Sequence, residues 1–357
     1  MIALGVSGLN SQENNFQVYG FITDSTSGEA LIGANVFIRE TGQGMATDNN
    51  GYYVLSGITA DQAELVVSYV GYQQYYQKLD FASSSSQKLD VSLKPETIEL
   101  MQVDVTAEEI ERLNRIEPSR VNLSPRILKA QPSLAEPDIF RTIQSLPGVL
   151  TTSEFSTGLV IRGGNTDQNL ILLDGITVYN PSHLGGLFSN FIVDAVKDAE
   201  LIKGGYNAEY GGRLSAVLDI RSREGNRNKF EGSSSVSLLT AQTTLEGPFL
   251  NGAWLLAGRR TYFDKVLPYV TDSFDLPYYF YDLQGHVFTD LNEKDRISLS
   301  FYRGVDDLEF QDLDLDSDWG NKTISLAYRR VFNEKIIGNF LAANSHFYTR
   351  FGLGGEE

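Results

Sequence analysis

Residues able to do chemistry are few in this chain, and they are badly placed for catalysis. The three histidines, His183, His286 and His346, lie far apart, and without cysteine there is no thiol nucleophile, disulfide frame or thiolate metal site. No Gly-x-Ser-x-Gly elbow, Walker lysine or His-x-x-x-His pair occurs. A hydrolase would have to assemble its site from unmarked residues, so the chain is not expected to be an enzyme. Acidic runs give two metal candidates. TDNNGYY (47–53) resembles a calcium loop, but Thr59 stands where the twelfth, acidic ligand belongs, and the run reads as a hairpin turn. Asp306 to Asp318 holds seven acids and no base, with Asp312, Asp314, Asp316 and Asp318 alternating. It lacks the glycine that a calcium loop needs at its sharp turn and reads as a solvated face. No metal and no cofactor is expected.

More informative is LVIRGGNTDQNLILLDGITVYN (159–180), in which two short apolar runs flank an Arg-Gly-Gly and a polar loop before ending on Asp-Gly. Apolar runs bounded by turn residues read as buried strands, so this is a strand-loop-strand unit with polar residues at its tip.

The elements that must position this tip fall into three regions. A chain of 357 residues exceeds one compact core. Its net charge of −17 argues against a nucleic-acid partner, which needs clustered Lys and Arg. Residues 1–15 suit the tail of a secretory signal or a disordered terminus. From 16 to 94, short alternating runs such as QVYGFI, GANVFIRE, GYYVLSGI, AELVVSYVGY and KLDVSL recur between turn signals, which implies a small β-sandwich. A polar connector, 95–124, follows Lys94-Pro95 and contains a capping-box spacing at Thr106 and Glu109. Residues 125–225 open on EPDIFRTIQSLPGV, where Pro137 suits a helix's first turn and Ile139, Phe140, Ile143 and Leu146 form one apolar face. With strand candidates AELIKGG and AVLDIRSR around the turn YNAEYGG, this makes an α+β unit.

Beyond Lys229 the strands lengthen. Tyr279, Tyr281, Leu283, Val287 and Leu291 share one face, and Asp282, Gln284, His286 and Asp290 the other. RISLSFY and TISLAYR alternate in the same way. No run approaches the roughly 20 apolar residues of a membrane helix, so a membrane crossing here would be made by strands. A solvated sandwich gives the same alternation. Tight turns at one end (EGPFLNGA, LNEKDR, FNEK) and long connections at the other (LPYVTDSFDLPYY and the acidic run) favour an outer-membrane barrel. The fold class is therefore mainly β: sandwich, α+β unit, then antiparallel strands of an incomplete transmembrane barrel in 229–357.

SLPGV, IRGGNTDQNLILLDG and LIKGGYNAEYGGRLSAVLDIRSR, in this order and spacing, resemble the plug of TonB-dependent outer-membrane receptors; EGPF with GRRTYF is similar to the start of their barrel. The region before is similar to the carboxypeptidase-regulatory-like sandwich that many of them carry. Such barrels have about 22 strands, whereas about seven fit after Asn228, so the sequence is expected to be part of a longer receptor. The resemblance implies an outer-membrane location in a Gram-negative bacterium, with the N-terminal domain in the periplasm. It also implies that the loops after the Arg-Gly strand and the Asp-Gly turn face the outer vestibule. Those loops carry Asn165, Asp167 and Gln168, then Tyr179 and Asn180, with His183 extending the second. They suit a polar ligand such as a glycan, peptide or metal chelate. Arg162, Gly163, Gly164, Asp174, Gly175 and Arg213 are expected to build the plug, with Arg162 and Arg213 paired to wall carboxylates such as Asp282 and Asp290. Met101, Gln102, Val103, Asp104, Val105 and Thr106 stand where the family has its TonB box, which adds a strand to its partner's sheet edge. A last edge strand of the sandwich fits the same pattern; position after the domain boundary favours the box. The partners implied are TonB with its proton-driven inner-membrane complex, outer-membrane lipid and a small or medium polar ligand, with a surface lipoprotein as a further candidate. A non-transporting receptor or secretion-associated barrel is the alternative function.

Overall fold

The computed structural model describes residues 16–82, 84–96, 120–130, 136–151, 153, 156–270, 277–310 and 315–353. They belong to two compact units.

The first holds β1 (Phe16–Asp24), β2 (Asn35–Ile38), β3 (Gly44–Ala46), β4 (Tyr52–Ile58), β5 (Gln62–Ser68), β6 (Tyr75–Asp80), β7 (Ser86–Lys88) and β8 (Val91–Leu93). One sheet runs β4-β1-β7, with β8 also on β1, and the other β3-β2-β5-β6. Alternating residues point inward from both, so Val18, Ile22, Val36, Tyr53, Leu65 and Val91 close a sandwich core. TDNNGYY is a turn: Asp48 Oδ1 accepts from the backbone N–H of Asn50 at 2.8 Å and of Tyr52 at 2.9 Å, and Gly51 takes φ 71°.

The second unit contains the α+β region and the long strands. The α+β region holds β9 (Arg120–Leu123), a helix at Pro125–Ala130, a helix at Ile139–Gln144, β10 (Val149–Thr151), β11 (Leu159–Ile161), β12 (Leu170–Leu173), β13 (Ile176–Thr177), β14 (Ser182–His183), β15 (Phe188–Ser189), β16 (Val196–Ile202) and β17 (Val217–Ser222). Its central sheet runs β13-β12-β17-β16-β9, while β10-β11 and β14-β15 are separate two-stranded ribbons. The two apolar runs of 159–180 therefore do not pair with each other, as a strand-loop-strand unit would; β11 pairs with β10, and β12 lies between β13 and β17. The second helix starts two residues later than Pro137 suggests. Asp138 is its N-cap, accepting from Phe140 and Arg141 N–H, and Ile139, Phe140 and Ile143 are buried beneath it.

The long strands are β18 (Glu231–Val236), β19 (Thr240–Phe249), β20 (Gly252–Thr261), β21 (Tyr278–Asp290), β22 (Asp295–Phe310), β23 (Leu315–Asn333) and β24 (Ile336–Leu353), hydrogen-bonded in sequence order. Their polarity is inverted relative to a water-soluble sheet. Thr244, Glu246, Arg259, Asp282, Gln284, Asn321, Thr323 and Ser325 are buried, while Leu283, Leu299, Ile324 and Leu326 on the opposite face are 38–48 % exposed. The acidic run is mostly strand rather than a long connection: β22 continues to Phe310 and β23 restarts at Leu315, extending the same alternation. Asp312 and Asp314 lie outside the described residues. No described helix is long and apolar enough to cross a membrane.

Candidate functional site

The sharp turns expected from sequence form as their residue types require. Asp174 (φ 51°) and Gly175 (φ 78°) join β12 to β13 through two left-handed residues, the geometry that Asp-Gly adopts at least cost. Asp174 then accepts from Ser222 N–H at 2.8 Å and from Ser222 Oγ at 2.7 Å, tying the turn to β17. Ser222 Oγ in turn accepts from Gln284 of the long-strand wall at 2.8 Å. Arg162 (φ 50°) and Gly163 (φ 81°) turn the chain after β11. At Gly164 a Cβ would fall 2.5 Å from Ser215 Oγ, so only glycine lets the loop close against β17's start. Gln168 completes this loop by accepting from Asn165 N–H at 3.1 Å.

A cavity of about 500 Å³ opens between these loops, lined by Asp167, Asn169, Tyr179, Asn180, Thr157 and Arg213 among others. Of the six expected contact residues it unites Asp167, Tyr179 and Asn180; Asp167 and Asn180 are exposed and Tyr179 is 44 % exposed. Asn165 is exposed outside its lining. Gln168 lines a neighbouring hollow with Arg162 and Lys203. Sequence reading missed Thr157 and Asn169. Both are buried, and the Thr157 Oγ1 and Asn169 Oδ1 atoms have no hydrogen-bond partner among the described residues. Asn169 Nδ2 is used internally, donating to Leu159 O at 2.8 Å.

His183 belongs to a different constellation. Expected to extend an exposed loop, it is fully buried between plug and wall. Nδ1 lies 2.8 Å from Asp306 Oδ2, Nε2 lies 2.9 Å from Asp282 Oδ1, and the ring stacks on Phe280 at 4.0 Å. Asp282 also accepts from Arg259 Nε at 2.9 Å and from Tyr302 OH at 2.6 Å. Arg259 spans onward to Glu136 at 2.5 Å and to the Ser189 carbonyl at 2.7 Å. Asp306 receives Tyr278 OH and, at 3.2 Å, Leu184 N–H. Burial alone would lower the His183 pKa, but the Asp282 and Asp306 carboxylates outweigh it and raise it to about 8.

The expected pairing of Arg162 and Arg213 with wall carboxylates is corrected by the same geometry. Asp282 is taken by Arg259 and His183, and Asp290 by Arg227 and Arg296, each at 2.7 Å. Arg259 stands directly across from Asp282 in the β20–β21 register, and Arg296 across from Asp290 in β21–β22. A cross-strand neighbour is already within reach and reaches the carboxylate first. Arg213 instead donates to Gly212 O at 3.0 Å. A second plug–wall cluster lies toward the Asp290 end: Arg223 meets Glu246 at 2.7 Å, and Arg296 meets Glu224 at 3.1 Å while lying 4.2 Å above the Phe288 ring.

An α+β unit pinned to the polar face of an inverted sheet has its counterpart in known families. A CarboxypepD_reg-like domain model matches residues 18–105, and a TonB-dependent Receptor Plug Domain model matches residues 123–217. The chain thus carries the plug domain of TonB-dependent receptors. It is 29 % identical over 219 residues to TonB-dependent receptor P26 of Formosa agariphila, covering 57 % of this chain and 20 % of that protein. TonB-dependent receptor SusC of Bacteroides thetaiotaomicron is 28 % identical over 239 residues, covering 62 % and 23 %. The chain thus spans less than a quarter of these relatives' length. The fold resembles the siderophore receptor PirA of Pseudomonas aeruginosa, with TM-score 0.50 and 16 % identity over 66 % of this chain and 41 % of that one. A receptor family accords with the expectation that the chain is not an enzyme. The TonB-box segment Met101–Thr106 and the capping-box spacing at Thr106 lie outside the described residues.

Proposed function

We propose that this chain serves an outer-membrane receptor that binds a polar solute at the plug and imports it when TonB displaces the plug. The observation that carries the reading is the inverted sheet. Its apolar face is left for lipid, and its polar face is buried against a domain that fills the lumen side. A plug needs attachment strong enough to seal and divisible enough to release. Buried polar clusters, set beside small apolar ones such as Ile192 and Ala195 with Leu255 and Ala257, give that combination. The solute meets Asp167, Tyr179 and Asn180, whose exposed polar groups favour one that offers hydrogen-bonding groups of its own. A glycan, a peptide or a chelate with free hydroxyls meets that requirement. Met101 to Thr106 are assigned as the TonB box, with residues 16–94 in the periplasm and 95–124 as the connector. TonB supplies the work from the inner-membrane proton gradient, so the chain needs no nucleotide site.

Val103→Pro tests the assignment, because proline removes a backbone donor and blocks strand addition. Uptake by cells should fall to background while surface binding persists. Uptake that continues unchanged would refute TonB-coupled import through this box; a native receptor that binds without any uptake would favour the non-transporting alternative.

A further inference from the structure

The His183 bridge specifies a protonation state by its geometry. Both ring nitrogens are within hydrogen-bond distance of carboxylate oxygens on different strands, Asp282 on β21 and Asp306 on β22. A neutral imidazole owns one N–H and would turn a lone pair toward the second carboxylate; only the imidazolium donates to both. The surroundings ask for the same charge. Glu136, Asp282 and Asp306 are three buried carboxylates with Arg259 as the other cation among them, and Tyr302 and Tyr278 donate from neutral hydroxyls. The apical ribbon β14–β15 carries His183 and, through Ser189 O, receives Arg259 as well.

We propose that His183 is a proton-loaded latch: the apical ribbon of the plug is held on the barrel wall while the imidazole carries its second proton, and detachment releases that proton to water. Once detached, an imidazole returns to its ordinary pKa near 6.5, against about 8 in the latch. The sign follows from linkage. The raised value belongs to the attached state, so the proton's contribution is complete below about pH 6.5 and is lost as pH rises through about 8. A difference of about 1.5 units caps the effect at roughly 30-fold in the attachment equilibrium. The proposal rests on residues 120–222 acting as a displaceable plug. Its test reads detachment without transport, so loss of import would not imitate its failure.

Residues 1–357 contain no cysteine, so a clean background for thiol labelling needs only that any cysteine elsewhere in the full receptor is replaced by serine. Ser189 is fully buried, and its Oγ has no partner among the described residues, so Ser189→Cys introduces a near-isosteric reporter that becomes reactive when the ribbon leaves the wall. In the full receptor in lipid vesicles, its labelling rate is divided by that of an exposed Ser85→Cys control to remove the thiol's own titration. The ratio should rise between pH 6.5 and 9 toward the roughly 30-fold limit. In His183→Gln, which cannot take a proton, it should be high and flat. A ratio that stays constant within about twofold in the native-histidine protein overturns the latch. Should His183→Gln fail to fold, the imidazole resonance of His183, assigned against the receptor's other histidines, decides: a midpoint at or below 6.5 overturns the proposal, whereas one near 8 supports it.

Discussion

Arg259 is the residue on which the outer attachment of the plug depends, and its removal has a calculable consequence. Its guanidinium is 1 % exposed and joins three groups from separate parts of the chain: Glu136, Asp282 and the Ser189 carbonyl. Arg259→Met keeps the stem and removes the charge. Glu136 is then left with Thr240 Oγ1, at 2.6 Å, as its remaining donor among these contacts, while Asp282 keeps Tyr302 and His183. Breaking a buried pair from one side costs about 3–5 kcal/mol, because the surviving charge stays desolvated. Asp282 remains served, so the lower end applies, about 3 kcal/mol, or roughly a 150-fold shift toward the detached plug.

The assay is the Ser189→Cys labelling ratio at pH 7, supported by the melting temperature of the receptor in detergent. Adding Glu136→Gln to Arg259→Met removes the stranded charge, so the double variant should be less perturbed than the two single costs summed, with a coupling of about 1.5 kcal/mol or more. Additive costs, or an Arg259→Met ratio within twofold of native, would show that the plug is held elsewhere and that the buried pairs are incidental.

Two further outcomes check the two faces of the site. Leu326→Arg, on the apolar face of β23 opposite Leu299, should cost about 2–4 kcal/mol and cut the level of assembled receptor in membranes, since the charge would face lipid; in a solvated sheet it would be nearly neutral, within about 0.5 kcal/mol. Asp167→Ala combined with Tyr179→Ala should weaken binding of the cognate solute by about tenfold or more without lowering the melting temperature, both being exposed; unchanged affinity in calorimetry would displace the site from this cavity.

What the sequence disclosed and what it hid divide along physical lines. The long strands were legible because each lies between two media, which stamps a period of two on residues such as Asp282, Leu283 and Gln284. Asp174-Gly175 was legible because few residue pairs adopt two successive left-handed conformations. The pairing of LVI and LILL was not legible: Leu159, Ile161 and all four residues of β12 are buried, so no alternation marks a partner. His183 escaped for a related reason. One histidine in a polar loop has the composition of a contact residue, and its burial is decided by carboxylates about 100 and 123 positions away. A charge count on the inward faces was the available signal. Asp282 and Asp306 both face inward by parity, Arg259 is the cation that parity brings beside them, and the deficit calls for a cation from the plug.

The attachments also imply an order of release under the proposed pull. Force arriving from residues 97–119 first meets β9, the edge strand of the plug sheet, paired over the four residues Arg120 to Leu123 with β16 and tied by Arg120 to Glu200 at 3.2 Å. An edge strand pulled from its end breaks its ladder bonds one after another rather than together, which is the weakest way to load a sheet. Next along the chain is the helix Pro125–Ala130, held by Lys129 to Asp194 at 2.6 Å, a pair with a half-exposed lysine that is worth little. Only then does tension reach Glu136 and the buried Arg259 network, to which His183 is joined through Asp282. The Arg223–Glu246 and Arg296–Glu224 cluster comes last, beside the point where the plug's chain passes into β18. A displacement that stops between those two clusters frees the apical ribbon and the cavity loops while leaving the far end of the plug anchored. That sequence opens a path and keeps the domain attached for its return.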